Sequence, residues 1–318
     1  MNRTEFIAIC KKSQSELKSY LKKRLKKKYP EVKSEFGFLF AKGELPVLLV
    51  AHLDTVHTTL PVNVISEVDK IYSPQGIGGD DRCGVYEILQ IINTHKCSVL
   101  FCEDEEKGAS GSKDFLESEY TKDFKPNYII ELDRMGNHDA VFYDCDNQKF
   151  TDFIVDDGDW TENFGSFSDI SYLAPGLGVA AVNLSSGYYK AHTKDEYVVP
   201  SEMDDIIRRV KKLLDRTTDA DKYEYIEASY LYDRRMYGYR YDGYNGYSYR
   251  GYNTSSRAAL EGKNYYFFTY TDDSGVEDYG EAIAENIYEA MGMFFEEHEN
   301  VTYNMVTNIE YFPAEEIM

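Results

Sequence analysis

The sequence predicts an α/β fold over about residues 1–217, a mixed, mainly parallel central sheet flanked by helices. A Tyr/Gly/Arg-rich linker over 218–262 and a small acidic α+β unit over 263–318 follow it. Three observations predict this. Short apolar runs of strand length alternate with segments of helical apolar spacing, which is the pattern of an α/β domain. The composition changes abruptly after Thr217, where Tyr, Gly and Arg interleave without a helix or strand period. Beyond residue 262 an aromatic strand pattern and an amphipathic stretch return.

In chain order, residues 4–29 read as one helix, with Phe6, Leu17, Leu21 and Leu25 as an apolar stripe among lysines and Pro30 as its stop. "EFGFLFAKG" and "LPVLLVAH" read as strands with Gly43 in the turn between them, and "VISEVDKIYS" as a further strand. "RCGVYEILQIINTH" places Val85, Ile88, Leu89 and Ile92 at helical spacing. "SVLFCED", "NYIIELD", "DAVFYD" and "GVAAVNL" are strand-like, "GSKDFLESEY" and "FSDISYLAP" helical. "SEMDDIIRRVKKLLDRT" is a helix capped by Ser201. In the last unit "NYYFFTYT" is a strand, residues 275–298 an amphipathic helix with Val276, Tyr279, Ile283, Ile287, Met291 and Phe294 on one face, and "NVTYNMVTNIEYF" one or two strands.

Composition narrows the function. Hydrophobic residues make up 42% of the 318, enough for a core. No apolar run has membrane-spanning length and no signal peptide opens the chain. The five cysteines (Cys10, Cys83, Cys97, Cys102, Cys145) are odd in number and show no paired spacing, which fits the cytoplasm better than a disulfide framework. A net charge of −21 argues against a general nucleic-acid binder. Arg and Tyr in the linker are a stacking surface for single strands at most, and a plain linker fits its near-zero local charge better. Residues 1–34 carry a net +8 and residues 263–318 a net −12. Solvated helix faces account for this; the alternative is a basic helix docking on an acidic module, within one chain or between copies in a homo-oligomer.

Chemistry-bearing side chains collect where the strands end. In "LLVAHLDTVH", His52 follows an apolar strand and Asp54 lies on the same face two residues later, placed to orient the imidazole. In "GIGGDDRCG", Asp80 and Asp81 stand at a helix start, where one Asp suffices as a cap. In "SVLFCEDEEKGASG" a buried strand runs into Glu103, Asp104, Glu105 and Glu106, a crowding of like charge that a divalent cation would relieve. Asp133 ends "YIIELD", and His192 lies in the polar loop "YYKAHTKDEYV". The successive groups His52, Asp80, Glu106, Asp133 and His192 are 28, 26, 27 and 59 residues apart, each interval long enough for a helix and a strand. Imidazole and carboxylate ligands without Cys suit Zn²⁺, Co²⁺ or Mn²⁺.

The ordered motifs "AHLDT", "GGDD..CG", "DEEKG", "ELD" and "AHTKDEY" resemble those of the co-catalytic di-zinc exopeptidases, a superfamily of aminopeptidases, tripeptidases, carboxypeptidases and deacylases. The resemblance covers about residues 45–203. It implies two divalent ions, with Asp80 bridging them, His52 and Asp133 on one, Glu106 and His192 on the other. It also implies Asp54 as the residue that orients His52 and Glu105 as the general base. Members with a separate lid or dimerisation domain insert it between the ligand Asp and the last His; here that interval reads as core sheet and helix, so no inserted lid is expected. "FGSFSDISYLAPGLGVAAVNLSSGYY" is similar to the one-domain aminopeptidases, which favours a short peptide with a free N-terminus as substrate. Glu103, Asp169, Asp195 or Glu196 would hold its ammonium, whereas Tyr188, Tyr189 and Lys190 would instead hold a carboxylate or an oxyanion. A deacylase, amidase or carboxypeptidase on the same scaffold, and a non-catalytic protein with a retained metal site, are the alternatives.

Overall fold

The computed structural model describes residues 1–163, 165, 167–218, 220–227, 264–271, 275–284, 290–291, 294, 298, 301 and 305–313. The chain forms two compact units, Met1–Ala228 and Ser229–Met318. The first therefore runs past the boundary expected at Thr217. Its last described residues add main-chain pairing to the domain: Tyr223 N donates to Asn127 O at 2.9 Å and Asp146 N to Ile226 O at 2.7 Å. The rest of the expected linker, residues 228–262, lies outside the described residues.

In chain order the first unit contains α1 (Arg3–Cys10), α2 (Gln14–Leu25), β1 (Lys33–Glu35), β2 (Phe38–Ala41), β3 (Leu45–His52), β4 (Ile65–Ser66), β5 (Ile71–Tyr72), α3 (Gly79–Ile91), β6 (Cys97–Cys102), α4 (Ser110–Glu117), β7 (Tyr128–Arg134), β8 (Asp139–Val141), α5 (Gln148–Gly158), β9 (Thr161–Asn163), α6 (Ile170–Leu177), β10 (Ala181–Ser185), β11 (Tyr188–Tyr189), β12 (Tyr197–Val198) and α7 (Pro200–Arg216). The central sheet has the order β1-β2-β6-β3-β7-β10-β8-β9. Its middle four strands, β6, β3, β7 and β10, are parallel, with β2 and β8 antiparallel beside them. Both faces of these four are covered, which is why their sequences are near-continuous apolar runs. The period of two sorts each strand between two cores. Val47 and Leu49 of β3 face a core shared with Phe6, Leu17, Val85, Ile88 and Met203 of α1, α2, α3 and α7. Leu48 and Val50 face Phe115 of α4 and Leu173 of α6. The expected mixed, mainly parallel sheet flanked by helices is the observed one.

Several elements differ from expectation, each for a local reason. The single helix over 4–29 is two helices, because Ser13 starts a new one with a capping box: Glu16 N donates to Ser13 Oγ at 3.4 Å and Ser13 N to Glu16 Oε2 at 3.0 Å. "EFGFLFAKG" is the hairpin β1–β2 turning at Gly37, and "VISEVDKIYS" is the hairpin β4–β5. The cap expected at Ser201 does not form: α7 starts with Pro200 in its first turn after Val199, and the Ser201 hydroxyl instead bonds Asp69. α5 is not among the expected elements; Asn147 caps it by accepting from Phe150 N.

Because β3, β6, β7 and β10 are parallel, their carboxyl ends share one edge of the sheet, where ligands bind in open α/β sheets. His52 pairs with Cys102 across β3 and β6, and Val50 with Glu131 across β3 and β7. A second small sheet, β11-β12-β5-β4, carries His192 in the β11–β12 connection. α3 meets the end of β7 backbone to backbone at Gly84, where a Cβ would lie 1.9 Å from Leu132 O.

The second unit is a three-stranded antiparallel sheet in which β13 (Asn264–Thr271) lies between β14 (Glu277–Ala284) and β15 (Val306–Pro313). Residues 277–284 are thus strand where a helix was expected. Val276 and Tyr279 fit a helical period, but the residues the sheet buries are Gly280, Ala282 and Ala284, a period of two carried by side chains too small to announce it. Ala290, Met291 and Phe294 are helical, and Phe294 stacks on Phe268 at 4.4 Å.

Candidate metal centre

His52, at the end of β3, is wholly buried. Its Nδ1 lies 3.1 Å from Asp54 Oδ1, and its Nε2 lies 2.9 Å from Asp80 Oδ1 and 3.3 Å from Asp133 Oδ1. The second oxygen of Asp80 lies 3.2 Å from His192 Nε2, which in turn is 3.2 Å from Glu106 Oε1. Asp80 thus stands between two imidazoles and offers one oxygen to each. The five groups come from β3, the non-helical first turn of α3, the turn after β6, the end of β7 and the β11–β12 loop, and the fold brings all five together.

Asp54 does more than orient His52. Its Oδ1 also accepts from Glu105 N at 3.0 Å and its Oδ2 from Glu106 N at 3.1 Å, so one carboxylate sets both the imidazole and the Glu105–Glu106 turn. The other two acids of that run point elsewhere. Glu103 pairs with Lys18 and accepts from Gly37 N, and Asp104 pairs with Lys107 at 2.8 Å. Asp81, adjacent to Asp80, is held by main chain: its Oδ2 accepts from His52 N at 3.1 Å and its Oδ1 from Gly84 N at 2.9 Å. Arg82 is buried and donates to the carbonyls of Leu53 (2.6 Å) and Asp54 (3.1 Å).

The charges are unbalanced toward the negative. Burial opposes a charged His52, but Asp133, Asp54 and Asp80 outweigh it and hold its pKa well above the usual value. The adjacent carboxylates of Asp80 and Glu106 stabilise a charged imidazole and raise His192 to about 11. Burial, with Asp133, Asp169 and Glu106 nearby, pushes Glu105 up to about 9, and burial with Asp80 pushes Asp133 up to about 8. Asp80 goes the other way: despite burial, the two imidazoles hold it well below the usual carboxylate range. Protons are therefore drawn onto both imidazoles and kept on two carboxyls, a state that a bound cation would replace.

The donor set fits such a cation. Glu106 Oε1 and Asp133 Oδ1 are buried, each lies within 3.3 Å of an imidazole nitrogen, and neither has a hydrogen-bond partner. Ligand atoms of His52, Asp80 and Glu106 lie within 4.8 Å of one another, as do those of His52, Asp81 and Asp133. In the second group Asp81 already has a backbone donor on each oxygen, so Asp80 is the better ligand. Imidazole and carboxylate donors without thiolate match a borderline divalent ion.

Of the groups expected to recognise substrate, most are engaged. Glu196 is buried and bonded to His57, Gly78 N and Asp80 N; Tyr188 donates to Asp133 O and Tyr189 to Glu202. Asp195 and Lys190 are exposed. Asp169 is buried, neither of its oxygens has a hydrogen-bond partner, and burial raises it to about 6. Cys83 and Cys102 are core residues as expected, and all five cysteines are free and buried.

Sequence reasoning missed the structural use of Asp81, Arg82, His57 and Glu196. The Gly-Gly pair ahead of Asp80 was the one available sign that this loop packs closely against something.

No protein-family model and no curated protein matches the chain. Solved structures do. The aminopeptidase PepT from Bacillus cereus is similar with a TM-score of 0.52 at 13% identity, over 66% of this chain and 96% of that one. A tripeptidase from Staphylococcus aureus is similar with a TM-score of 0.51 at 14% identity, over 66% and 95%. An aminopeptidase from the archaeon Desulfurococcus kamchatkensis is similar with a TM-score of 0.52 at 13% identity, over 68% and 94%. A Zn-dependent exopeptidase from Parabacteroides distasonis is similar with a TM-score of 0.50 at 13% identity, over 67% and 95%. The mixed α/β fold of this chain is the fold of these solved aminopeptidase, tripeptidase and Zn-dependent exopeptidase structures.

Proposed function

We propose that the protein is a metal-dependent peptide hydrolase of the aminopeptidase type, holding two divalent ions, zinc in the first instance. The observation that carries this reading is the position of Asp80, one oxygen 2.9 Å from His52 and the other 3.2 Å from His192. His52 and Asp133 would hold one ion with Asp80, and Glu106 and His192 the other. Bound there, such ions would supply Lewis acidity toward a water and a scissile carbonyl. Glu105, on a turn fixed by Asp54, takes the water's proton and returns it to the leaving amine. Asp54 keeps Nδ1 of His52 in a hydrogen bond, so Nε2 is the nitrogen turned to the ion. The aminopeptidase and tripeptidase names of the structural neighbours support the substrate class. A short peptide is the substrate, recognised by its free N-terminus. Among the described residues no helix is long and apolar enough to cross a membrane, and the five free cysteines suit a reducing cytoplasm.

The test is metal content of purified protein alongside hydrolysis of matched peptides that are free, N-acetylated or C-amidated. Two ions per chain and cleavage that needs the free N-terminus are expected. Cleavage of only the N-acylated series would replace the aminopeptidase with a deacylase, and absence of bound metal would overturn the reading.

A further inference from the structure

Glu196 has no role in the chemistry above, yet it is among the most tightly held side chains near the centre. It lies four residues after His192, it is fully buried, and three donors converge on it. Gly78 N donates to its Oε2 at 2.7 Å, Asp80 N to its Oε1 at 3.0 Å, and His57 Nε2 lies 2.8 Å from Oε2. One main-chain donor is the N–H of Asp80 itself, whose carboxylate faces both imidazoles, and the other lies two residues before it. The third donor, His57, sits five residues after His52. Glu196 thus ties together the loops that carry His52, Asp80 and His192. The packing agrees with this: a Cβ on Gly79 would lie 2.8 Å from Tyr188 Cβ and 3.4 Å from Glu196 Oε1, so the 78–80 backbone is pressed against the β11–β12 hairpin.

We infer that Glu196, held by His57, is a positioning residue that sets the Asp80 backbone, and through it the placement of the shared carboxylate between two ions. A carboxylate is suited to this because it has two oxygens and accepts at both. Gln has a single acceptor oxygen, and its NH₂ would meet one of the two main-chain N–H groups donor to donor. The inference rests on the two-ion reading above. It adds that the site's geometry is set from the far side of the Asp80 backbone by residues that touch no ion.

The experiment is a titration of metal-free, full-length protein with Zn²⁺ and with Co²⁺, the latter read by its visible absorption, on wild type and Glu196→Gln. Loss of such an outer partner typically weakens metal affinity about 10- to 100-fold, and that loss is expected here, with kcat lowered and KM nearly unchanged on a tripeptide and an altered Co²⁺ spectrum. A merely structural Glu196 would lower Tm and leave the affinity, the spectrum and kcat of the folded protein as in wild type; that result overturns the inference. Should Glu196→Gln not fold, His57→Ala decides. Removing this one side-chain donor is expected to weaken Zn²⁺ binding several-fold, with His57→Gln, which keeps an N–H, restoring it; equal affinity in all three proteins overturns the inference. A wild type that takes up no divalent ion sinks the hydrolase reading itself. A metal-loaded, active wild type beside an equally loaded and active Glu196→Gln sinks only the positioning role.

Discussion

Two acidic doublets meet at the site, Asp80–Asp81 in the non-helical first turn of α3 and Glu105–Glu106 after β6, and they divide their labour by different means. In the first, neighbouring carboxylates take different partners. Asp81 accepts from two backbone N–H groups, while Asp80 has both oxygens on imidazoles. In the second, the backbone is the part that is held: both N–H groups of the doublet donate to Asp54, and the two side chains are left for other work. A carboxylate whose oxygens are filled by main chain is part of the scaffold. One whose oxygens face imidazoles is free to turn to a ligand.

Substitutions break this comparison at graded cost. Asp80→Ala removes the shared ligand, so both ions and essentially all hydrolysis are expected to go; elemental analysis finding a full metal complement in the variant would overturn the bridge. Glu105→Gln keeps shape but cannot take a proton, and loss of a general base lowers rate by about 10² to 10⁴. We expect kcat to fall by that much with KM nearly constant and both ions retained, whereas Glu106→Ala should lose one ion. Metal analysis and kcat on the same preparations would expose swapped roles. Asp81→Ala leaves the buried N–H groups of His52 and Gly84 without their acceptor, each worth about 1–3 kcal/mol. Urea unfolding should report that loss, and a variant of wild-type stability that binds no metal would make Asp81 a ligand after all.

Proton binding gives a further, smaller handle. Glu105 is held up to about 9 and Asp133 to about 8 in the folded protein, against ordinary values of 4.5 and 3.8. The folded metal-free state therefore binds more protons than the unfolded chain between these limits, and its stability falls as pH rises from about 5 to 9. The raised pKa of His52 acts in the same direction. With EDTA, Tm should be lower at pH 9 than at pH 6. Zinc at a hundredfold excess over Kd adds about 2.7 kcal/mol, and its gain in Tm should be larger at pH 9, where fewer protons compete. A Tm with EDTA that rises over this range would contradict the buried, proton-holding carboxyls. The least effect is expected from ending the chain after Ala228: metal content and tripeptide hydrolysis should match the full chain, and a soluble, metal-loaded but inactive product would place the second unit in the reaction.

The strand ends were legible because parallel strands advertise themselves as apolar runs, and a charged or imidazole side chain directly after one is conspicuous. His52, Asp133 and the Glu105–Glu106 turn follow that rule. The capping box at Ser13 and Glu16 was readable too, yet the lysine-rich stripe around it fits one long helix equally well. His57 and Glu196 were not legible as a pair, since 139 residues separate them and each sits in a loop without periodicity. Asp81 shows why residue type alone misleads: its role is decided by which N–H groups the fold brings to it. In the second unit the buried face of β14 is built from Gly280, Ala282 and Ala284, and hydrophobicity is blind to a face made of absent side chains.

Gly84 extends that last point to the centre itself. A Cβ there would meet Leu132 O at 1.9 Å and the Asp81 carboxylate at 2.6 and 2.7 Å, so its single hydrogen acts as a gauge between the first turn of α3 bearing Asp80 and the β7 end bearing Asp133. The spacing between the Asp80 and Asp133 carboxylates is thus fixed at a position that offers no ligand atom of its own. Any side chain at 84 would have to push α3 off the end of β7 and displace the Asp81 carboxylate together, so one hydrogen atom sets the gap across which the two elements face each other.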